Sequence, residues 1–311
     1  MAKQVPAIEL INVTKQAGNH KLIDSLTLAV NRGEIFGLLG PSGSGKTTLF
    51  QLITGLTEPT RGQVLINGLD LHKHFRRAIS QVGAVIDNPQ LYPFLTGYQN
   101  LLHFARMTPG LRYDRASLHA LLSRVGLDKA IHTKAAEYTL GMSSRLALAQ
   151  ALLHKPSILL LDEPTAGLDA TAVRELGDLL RDLTDRDQVT VLVTSHLLAE
   201  MELLCDRIGV MQMGRLVTVK TTPGLDESEL ALSNVFIEVD LLEEAKKLLS
   251  THYPQANIVD CCPMLELGVV MRKEIPAITE ILVQSGIKVY GIQAATKKLG
   301  DRFRELKGSG T

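Results

Sequence analysis

The stretch GLLGPSGSGKTTLF, residues 37–50, has the residue types and spacing of a phosphate-binding loop. Glycines let consecutive backbone N–H groups turn inward around an anion at a helix N-terminus. Lys46 is then expected to reach the β- and γ-phosphates of a nucleotide, and the Thr47 hydroxyl is expected to bind Mg²⁺. An ordinary turn of glycine and serine is the alternative. The predicted nucleotide-binding residues are Gly40, Pro41, Ser42, Gly43, Ser44, Gly45, Lys46, Thr47 and Thr48.

Two carboxylates, Asp162 and Glu163, directly follow the apolar run at 158–161. A buried strand that ends in carboxylates carries them to the carboxyl edge of a parallel sheet, where a phosphate loop also lies. Asp162 is expected to hold Mg²⁺, and Glu163 to orient or deprotonate the attacking water. The alternative is a solvated acidic strand end in front of a helix that begins at Ala170.

His196 ends the apolar stretch VTVLVTSH, residues 189–196. A lone histidine at a strand end usually has a structural role. Its position after a strand of the same predicted sheet favours a contact with the γ-phosphate. The predicted catalytic residues are therefore Lys46, Glu163 and His196.

The phosphate loop, the two carboxylates and the histidine must each be positioned by a strand that ends, or a helix that begins, next to them. The apolar run at 35–39, bounded by Gly33-Glu34 and Gly40, predicts a buried strand. From Lys46 onward the sequence has helical spacing. One face of this predicted helix carries Leu49, Leu52, Ile53 and Leu56. The order of strand, glycine loop and helix predicts an α/β fold.

The composition limits the classes of partner. Among 311 residues, 33 Lys and Arg balance 33 Asp and Glu, so no overall basic excess draws the chain to nucleic acid or to an anionic membrane. The N-terminal segment is too polar for a secretory signal, and no apolar run reaches the ~18 to 20 residues of a bilayer span. Cys205, Cys261 and Cys262 show no C-x-x-C spacing, which favours buried, reduced thiols. Any membrane role therefore requires a partner.

Residues from about 6 to 220 resemble the nucleotide-binding subunit of an ABC transporter. The phosphate loop, the acidic pair, the D-loop that ends at Asp169 and the H-loop His196 follow that family's order. The resemblance implies a P-loop NTPase of ABC type with a helical subdomain, which binds ATP and Mg²⁺ and hydrolyses ATP. It also implies an integral membrane permease as partner, at the cytoplasmic face of a bacterial cell membrane.

The segment YTLGM, residues 138–142, stands where this family carries its LSGGQ signature in front of a helix. Thr139 keeps a hydroxyl, and Gly141 keeps a glycine that permits close approach. The resemblance implies that this segment covers the γ-phosphate bound by an opposing subunit, in a homodimer or heterodimer of ATPase subunits. The implied signature residues are Thr139, Leu140, Gly141 and Met142.

Two positions depart from the family pattern. The Q-loop glutamine falls on Asp87, which offers oxygen to Mg²⁺ but no amide donor. The aromatic residue that stacks on adenine falls on Ala17, so stacking is lost unless His20 or another side chain replaces it. Asp87 and the LGM-type signature are similar to those of the bacitracin and lantibiotic self-protection exporters. The predicted Mg²⁺ ligands are Thr47, Asp162 and Asp87.

Helical spacing in LLHFARM and ASLHALLSRVGL corresponds to the family's helical subdomain, about residues 90–155. The aromatic side chains of Tyr92, Phe94 and Tyr98 are expected to be exposed and to suit a groove for the membrane subunit. A place in the core is the alternative for each of them.

The composition shifts after residue 222. This shift predicts an ATPase domain over 1–222, a linker over 223–233 and an accessory domain over 234–311. Strand and helix patterns in the last segment follow the order βαββαβ, which is typical of a ferredoxin-like α+β fold. The run KKLGDRFRELKG, 297–308, predicts a closing amphipathic helix. We expect this domain to have a structural or regulatory docking role rather than a ligand site.

The sequence therefore predicts an ATPase subunit that energises an exporter of antimicrobial peptides or other amphiphiles. An ABC-type ATPase that acts on nucleic acid or ribosomes is one alternative, against which the balanced charge and the lack of a long coiled-coil insertion argue. A degenerate nucleotide-binding module is the other. The intact set Lys46, Asp162, Glu163 and His196 argues against it.

Overall fold

The computed structural model describes residues 5–18, 20–86, 91–108, 110–222, 232–253, 257–261, 264–271 and 274–295. The chain divides into two units, Met1–Pro223 and Gly224–Thr311. Asp87, most of the predicted linker and the predicted closing helix at 297–308 lie outside the described residues.

The first unit contains ten strands and seven α-helices within its described ranges. The strands are β1 Ile8–Ala17, β2 His20–Val30, β3 Ile35–Leu39, β4 Arg61–Ile66, β5 Leu69–Asp70, β6 Val82–Val85, β7 Ile158–Leu161, β8 Thr190–Ser195, β9 Arg207–Gln212 and β10 Arg215–Thr221. The helices are α1 Lys46–Ile53, α2 Phe75–Ile79, α3 Gly97–Met107, α4 Arg115–Arg124, α5 Leu140–Leu152, α6 Ala170–Asp187 and α7 Leu198–Leu204. None of the helices in the described ranges combines the length and hydrophobicity that a membrane span requires.

A six-stranded sheet in the order β10-β9-β3-β8-β7-β6 forms the centre of this unit. Its strands pair in parallel except for the antiparallel pair β9–β10. Every residue of β3, β7 and β8 is buried, as near-continuous apolar runs require when both faces of a parallel sheet are covered. The strands predicted at 35–39, 158–161 and 189–196 are confirmed, the last over Thr190–Ser195.

Helix α1 begins at Lys46 as predicted but is shorter than its apolar pattern suggested. It ends at Ile53, because the next turn closes through the Thr54 N–H and Gly55 adopts a φ of +70°. Leu49, Leu52 and Ile53 are buried. Leu56 lies beyond the helix and is 72% exposed, so its predicted place on one helix face with the other three residues is wrong.

A second, antiparallel sheet in the order β2-β1-β4-β5 packs on the same core. One apolar cluster joins Ile8 and Leu28 of this sheet to Phe36 of β3 and Phe50 of α1. The strand before the phosphate loop and the helix after it are therefore fixed by the same buried side chains.

Helices α3, α4 and α5 occupy the region predicted as a helical subdomain. Thr96 with Gln99 and Asp114 with Ser117 form capping boxes at the starts of α3 and α4. Of the three aromatic residues expected to be exposed, only Phe94 is, at 68%. Tyr92 and Tyr98 are half-buried, because Tyr92 packs against the rings of His103 and Phe104 and Tyr98 against that of His119.

The second unit has the observed element order strand, helix, strand, strand, helix, strand. Its elements are β11 Leu232–Val239, α8 Leu242–His252, β12 Asn257–Cys261, β13 Met264–Met271, α9 Ile275–Gln284 and β14 Val289–Ala295. The sheet order is β12-β13-β11-β14, and every paired strand is antiparallel to its neighbour. Val235, Ile237 and Leu265 of the sheet pack with Leu249 of α8 and Ile278 of α9 in a core of their own.

Candidate nucleotide-binding and catalytic site

Four neighbouring parallel strands, β3, β8, β7 and β6, end at the same edge of the main sheet. The predicted phosphate loop follows β3, Asp162 follows β7 and His196 follows β8. The Gly40 N–H donates to the Ser195 carbonyl at 3.3 Å, and the Asp162 N–H donates to the Val85 carbonyl at 2.9 Å. The structure therefore brings the separate motifs together at one edge, as predicted.

The loop after β3 has the backbone shape that its glycines permit. Gly43 and Gly45 have φ values of +79° and +103°, which side chains with a Cβ rarely adopt. A Cβ on Gly40 would lie 2.5 Å from the Met211 carbonyl oxygen. The Ser44 hydroxyl is buried in this loop, without a hydrogen-bond partner among the described residues. The loop is thus a tight backbone cradle that fits a bound phosphate.

Lys46 directs its charge into the loop. Its Nζ donates to the carbonyl oxygens of Gly40 at 2.8 Å and Pro41 at 3.1 Å, and it lies 3.6 Å from Glu163 Oε1. The side chain is only 6% exposed, so carbonyl dipoles and a carboxylate compensate a nearly buried ammonium. An anion in the loop would provide the same compensation.

Thr47 and Asp162 form a set of oxygen atoms suited to a divalent cation. Thr47 Oγ1 donates to Asp162 Oδ2 at 2.9 Å. Mg²⁺ prefers hard oxygen donors and is commonly bound by one or two carboxylates together with substrate phosphates. The residues present therefore fit Mg²⁺, and Asp87, the third predicted ligand, lies outside the described residues.

Glu163 and His196 form a hydrogen-bonded pair beside Lys46. Glu163 Oε2 lies 2.8 Å from His196 Nδ1. Glu163 has a φ of +46°, which is uncommon for a residue other than glycine and frequent at functional sites. With Lys46 near one carboxylate oxygen and His196 near the other, the three predicted catalytic residues form one cluster.

Thr194, which was not predicted as a site residue, contacts the carboxylate of Asp162 and the backbone of Glu163. Its fully buried hydroxyl donates to Asp162 Oδ1 at 2.6 Å and accepts from the Glu163 N–H at 2.9 Å. The sequence signal that could have identified Thr194 is a hydroxyl residue near the end of a buried strand. Its partners belong to a distant segment, so spacing alone could not identify them.

The predicted signature segment begins helix α5. Thr139 is the N-cap residue, and its hydroxyl accepts from the Met142 N–H at 3.2 Å. Leu140 is 50% exposed, and a Cβ on Gly141 would make an ordinary contact of 3.6 Å with Leu168 of the D-loop. The D-loop residue Asp169 caps helix α6, because it accepts from the Ala172 N–H at 2.8 Å.

A cavity of about 470 Å³ lies between the signature helix and the acidic pair. Its lining includes Thr47, Asp162 and Glu163 on one side and Leu140 and Gly141 on the other. Within one chain, the signature segment and the cluster of carboxylates therefore face a common space.

Two further expectations concern residues away from this cluster. Ala17 and His20 face each other at the exposed end of the β1–β2 hairpin. Cys205 is a buried free thiol, and burial raises the pKa of its side chain, which disfavours the reactive thiolate. The side chains of Cys261 and Cys262 lie outside the described residues.

A glycine loop between strand and helix, with carboxylates and a histidine at the same sheet edge, defines the site of a P-loop ATPase. Comparison with known proteins narrows the class, because residues 23–166 match the ABC transporter family. The chain belongs to the ABC transporter ATP-binding proteins, and the prediction from its motifs is confirmed. It is an ATP-binding ATPase subunit.

Relatives match nearly the whole chain. The uncharacterized ABC transporter ATP-binding protein YhcH of Bacillus subtilis is 41% identical over 303 residues, which are 97% of this chain and 96% of YhcH. The bacitracin transport ATP-binding protein BcrA of Bacillus licheniformis is 32% identical over 309 residues, 98% of each chain. Among solved structures, the dimeric, post-hydrolysis ATP-binding cassette MJ0796 bound to ADP and Pi has a TM-score of 0.62 and 27% identity, covering 70% of this chain and 100% of that one.

Proposed function

We propose that this chain powers an ABC exporter of antimicrobial peptides or other amphiphiles and so protects the cell that carries it. The observation that carries the proposal is the cluster of Lys46, Glu163 and His196 beside the Thr47–Asp162 pair. Similarity to BcrA along the whole chain supports the class of transported molecule. The Asp87 position and the LGM-type signature support the same branch.

Each residue of the cluster has a role in this proposal. Mg²⁺, when bound, neutralises charge on the phosphate oxygens, and Thr47 and Asp162 would hold it. Lys46 contacts the β- and γ-phosphates. Glu163 accepts a proton from the attacking water, and His196 orients Glu163 and contacts the γ-phosphate. Asp87 is proposed as a further oxygen ligand on the evidence of its place in the sequence.

Two ATPase subunits, identical or different, act together in this proposal. The signature residues Thr139, Leu140, Gly141 and Met142 of one subunit cover the γ-phosphate bound by the other. The exposed starts of α5 and α6 support such a contact, because helix N-termini with free N–H groups attract phosphate. An integral membrane permease holds the pair at the cytoplasmic face of the membrane.

The second unit is proposed to be a ferredoxin-like accessory domain. Its element order and its antiparallel sheet order β12-β13-β11-β14 support this assignment. A docking or regulatory role is favoured for it, since the fold implies no activity by itself.

The test uses the full chain co-purified with its membrane partner. Lys46→Ala is expected to abolish nucleotide binding or turnover, because it removes the charge that faces the phosphates. Lys73→Ala, at an exposed lysine outside the site, is the matched control. Cells that express the complex should tolerate more bacitracin or lantibiotic, and the Lys46→Ala complex should lose this tolerance.

Three results would contradict the proposal. Wild-type turnover of Lys46→Ala would refute the site. Stimulation by RNA or ribosomes, with no protection against amphiphilic peptides, would support the nucleic-acid alternative. ATP binding without hydrolysis in any assembly would support the degenerate module.

A further inference from the structure

Glu200 lies in helix α7, and its side chain contacts two residues that are close in sequence to Glu163 and His196. Glu200 Oε2 accepts a hydrogen bond from Thr165 Oγ1 at 2.5 Å and another from Ser195 Oγ at 2.9 Å. Thr165 stands two residues after Glu163, and Ser195 stands directly before His196. Thr165 and Ser195 are 2% and 1% exposed, so water does not compete for their hydroxyls.

Ser195 transmits this contact to two further parts of the site. Its hydroxyl accepts from the Leu197 N–H at 3.0 Å while it donates to Glu200, so both of its hydrogen-bonding roles are used. Its carbonyl oxygen accepts from the N–H of Gly40, the first glycine of the phosphate loop. One carboxylate oxygen of Glu200 therefore orients a residue that joins the loop, the histidine and the start of α7.

We infer that Glu200 is a positioning residue that fixes the distance between Glu163 and His196. Glu200 acts through Thr165 on the segment after Glu163 and through Ser195 on the segment before His196. The segment after β7 and the end of β8 both donate to the Glu200 carboxylate, so without it they lose their common hydrogen-bond acceptor. The inference rests on the roles proposed above for Glu163 and His196.

The first test compares Glu200→Ala with Glu200→Gln in the full chain. Alanine removes the acceptor, so kcat for ATP hydrolysis is expected to fall about tenfold to a hundredfold, the cost of misplacing a catalytic group by roughly 1 Å. Affinity for ATP, measured with a fluorescent nucleotide analogue, should change less than kcat, because the phosphate loop is bonded to the Ser195 carbonyl and not to the hydroxyl that Glu200 holds. Glutamine keeps a carbonyl oxygen with two lone pairs, so Glu200→Gln should recover most of the lost kcat.

A control and a double variant separate positioning from a role in stability. Glu202→Ala removes the same charge from an exposed position of α7 and should leave kcat and affinity unchanged. Glu200→Ala placed on a Glu163→Gln background should cause no further loss of kcat, because both changes act on one unit. A residue that only stabilises α7 would lower the thermal unfolding temperature and leave kcat unchanged.

The outcomes distinguish this inference from the proposed function. If Glu163→Gln hydrolyses ATP at the wild-type rate, the proposed roles fail. If Glu163→Gln is impaired and Glu200→Ala is not, or if their losses add, only the inference about Glu200 is overturned. Should Glu200→Ala fail to fold, Ser195→Ala provides a second test. It removes the hydrogen bond between Glu200 and the residue before His196 and leaves the Glu200 carboxylate in place. A wild-type kcat for Ser195→Ala would then overturn the inference.

Discussion

At the scale of the residue, the Thr194 hydroxyl contacts two residues that have different proposed roles. Thr194 donates to Asp162, proposed to hold Mg²⁺, and accepts from the backbone of Glu163, proposed to activate water. The Glu163 backbone lies in the left-handed region, where a residue with a Cβ needs support from its surroundings. The Thr194 hydroxyl provides this support and orients the metal ligand at the same time.

Thr194→Val keeps the shape of the side chain and removes the hydroxyl. We expect a lower kcat and a higher Mg²⁺ concentration for half-maximal hydrolysis, because Asp162 loses a donor and the Glu163 N–H loses its acceptor. An unpaired buried group also costs about 1–3 kcal/mol of stability. ATPase activity measured over a Mg²⁺ titration, together with thermal unfolding, checks both effects.

The matched control is Thr190→Val at the other end of the same strand. Thr190 is 1% exposed, and its hydroxyl accepts from the Gly33 N–H at 2.9 Å, away from the site. This variant should lose stability and keep the wild-type Mg²⁺ dependence. An equal shift of the Mg²⁺ dependence in both variants would mean that Thr194 has no specific role.

The sequence identified the residues that meet at the sheet edge but not the side chains that hold them. Lys46 and Thr47 have fixed spacing within one loop, and Asp162 ends an apolar run, so pattern alone located them. Thr194 is hydrogen-bonded to Asp162 and Glu163, 32 and 31 residues away, and Glu200 to Thr165, 35 residues away. Only the pairing of β7 with β8 and the direction of α7 make those contacts visible.

At the scale of the element, one arginine connects the signature helix to two other helices. Arg145 of α5 donates through Nη1 to the Val125 carbonyl after α4 at 3.2 Å, and through Nη2 to Glu175 of α6. Gly126 leaves room for this side chain, since a Cβ there would lie 2.2 Å from Arg145 Nη1. The guanidinium therefore fixes the signature helix relative to the helix that begins at the D-loop.

Arg145→Ala should loosen this arrangement. We expect the free energy of unfolding to fall by about 1 kcal/mol, a small value because the ion pair is partly exposed, and amide exchange at the end of α4 to become faster. Arg145→Lys should not restore either property. A planar guanidinium donates to Val125 and Glu175 from two separate nitrogens, and the single ammonium nitrogen of lysine does not reproduce this geometry. Chemical denaturation and hydrogen exchange provide the measurements.

The comparison is Arg174→Ala, which removes a positive charge from an exposed position of α6. Exchange at the end of α4 should stay at the wild-type rate in this variant. If Arg145→Ala behaves like Arg174→Ala, the contacts of Arg145 do not hold the three helices together.

Element prediction succeeded where one physical signal dominated. The fully buried strands are apolar throughout, so their runs marked β3 and β7 correctly. The same signal overextended α1 to Leu56, because periodicity continues past the point where Gly55 ends the helix. The ring contacts of Tyr92 were equally hidden, since a local pattern does not reveal which side chains a loop packs against.

At the scale of the whole molecule, an ion pair joins the two sheets of the first unit. Arg215 at the start of β10 donates to Asp24 of β2, and the Asp24 N–H donates to the Gly214 carbonyl at 2.9 Å. The hydrogen bond from Arg215, followed by that from Lys21, lowers the pKa of the Asp24 carboxyl. Protonation of Asp24 therefore weakens a connection between sheets.

The sign of the resulting pH dependence follows from the lowered pKa. The contribution of Asp24 to stability is fully present above its unfolded pKa, about 3.9, and is lost as the pH falls through the lower folded value. Arg215→Ala should therefore reduce stability at pH 7 and should differ progressively less from the wild type below about pH 4. Urea denaturation across this range measures the difference. A gap between the two proteins that stays constant to low pH would show that Asp24 is not the responsible group.

The largest-scale prediction concerns association of two chains. Glu163→Gln keeps size and hydrogen bonding but removes the basic carboxylate, so ATP should bind while hydrolysis falls by the ~10² to 10⁴ typical of a lost general base. Because the bound γ-phosphate would lie between the loop of one chain and the signature of the other, this variant should accumulate as an ATP-dependent dimer. Size-exclusion chromatography with light scattering detects it.

A second substitution tests whether the signature forms that contact. In the single chain a Cβ on Gly141 makes an ordinary contact of 3.6 Å with Leu168, so Gly141→Asp should leave ATP binding to the monomer intact. Its carboxylate would repel the γ-phosphate at the closing face, so adding it to Glu163→Gln should remove the dimer. Gly141→Asn has the same size without the charge and should weaken the dimer less. If Glu163→Gln stays monomeric at saturating ATP and Mg²⁺, even with the membrane partner, closure of two chains is the wrong mechanism. The segment YTLGM would then have to be interpreted as a signature that has lost its function.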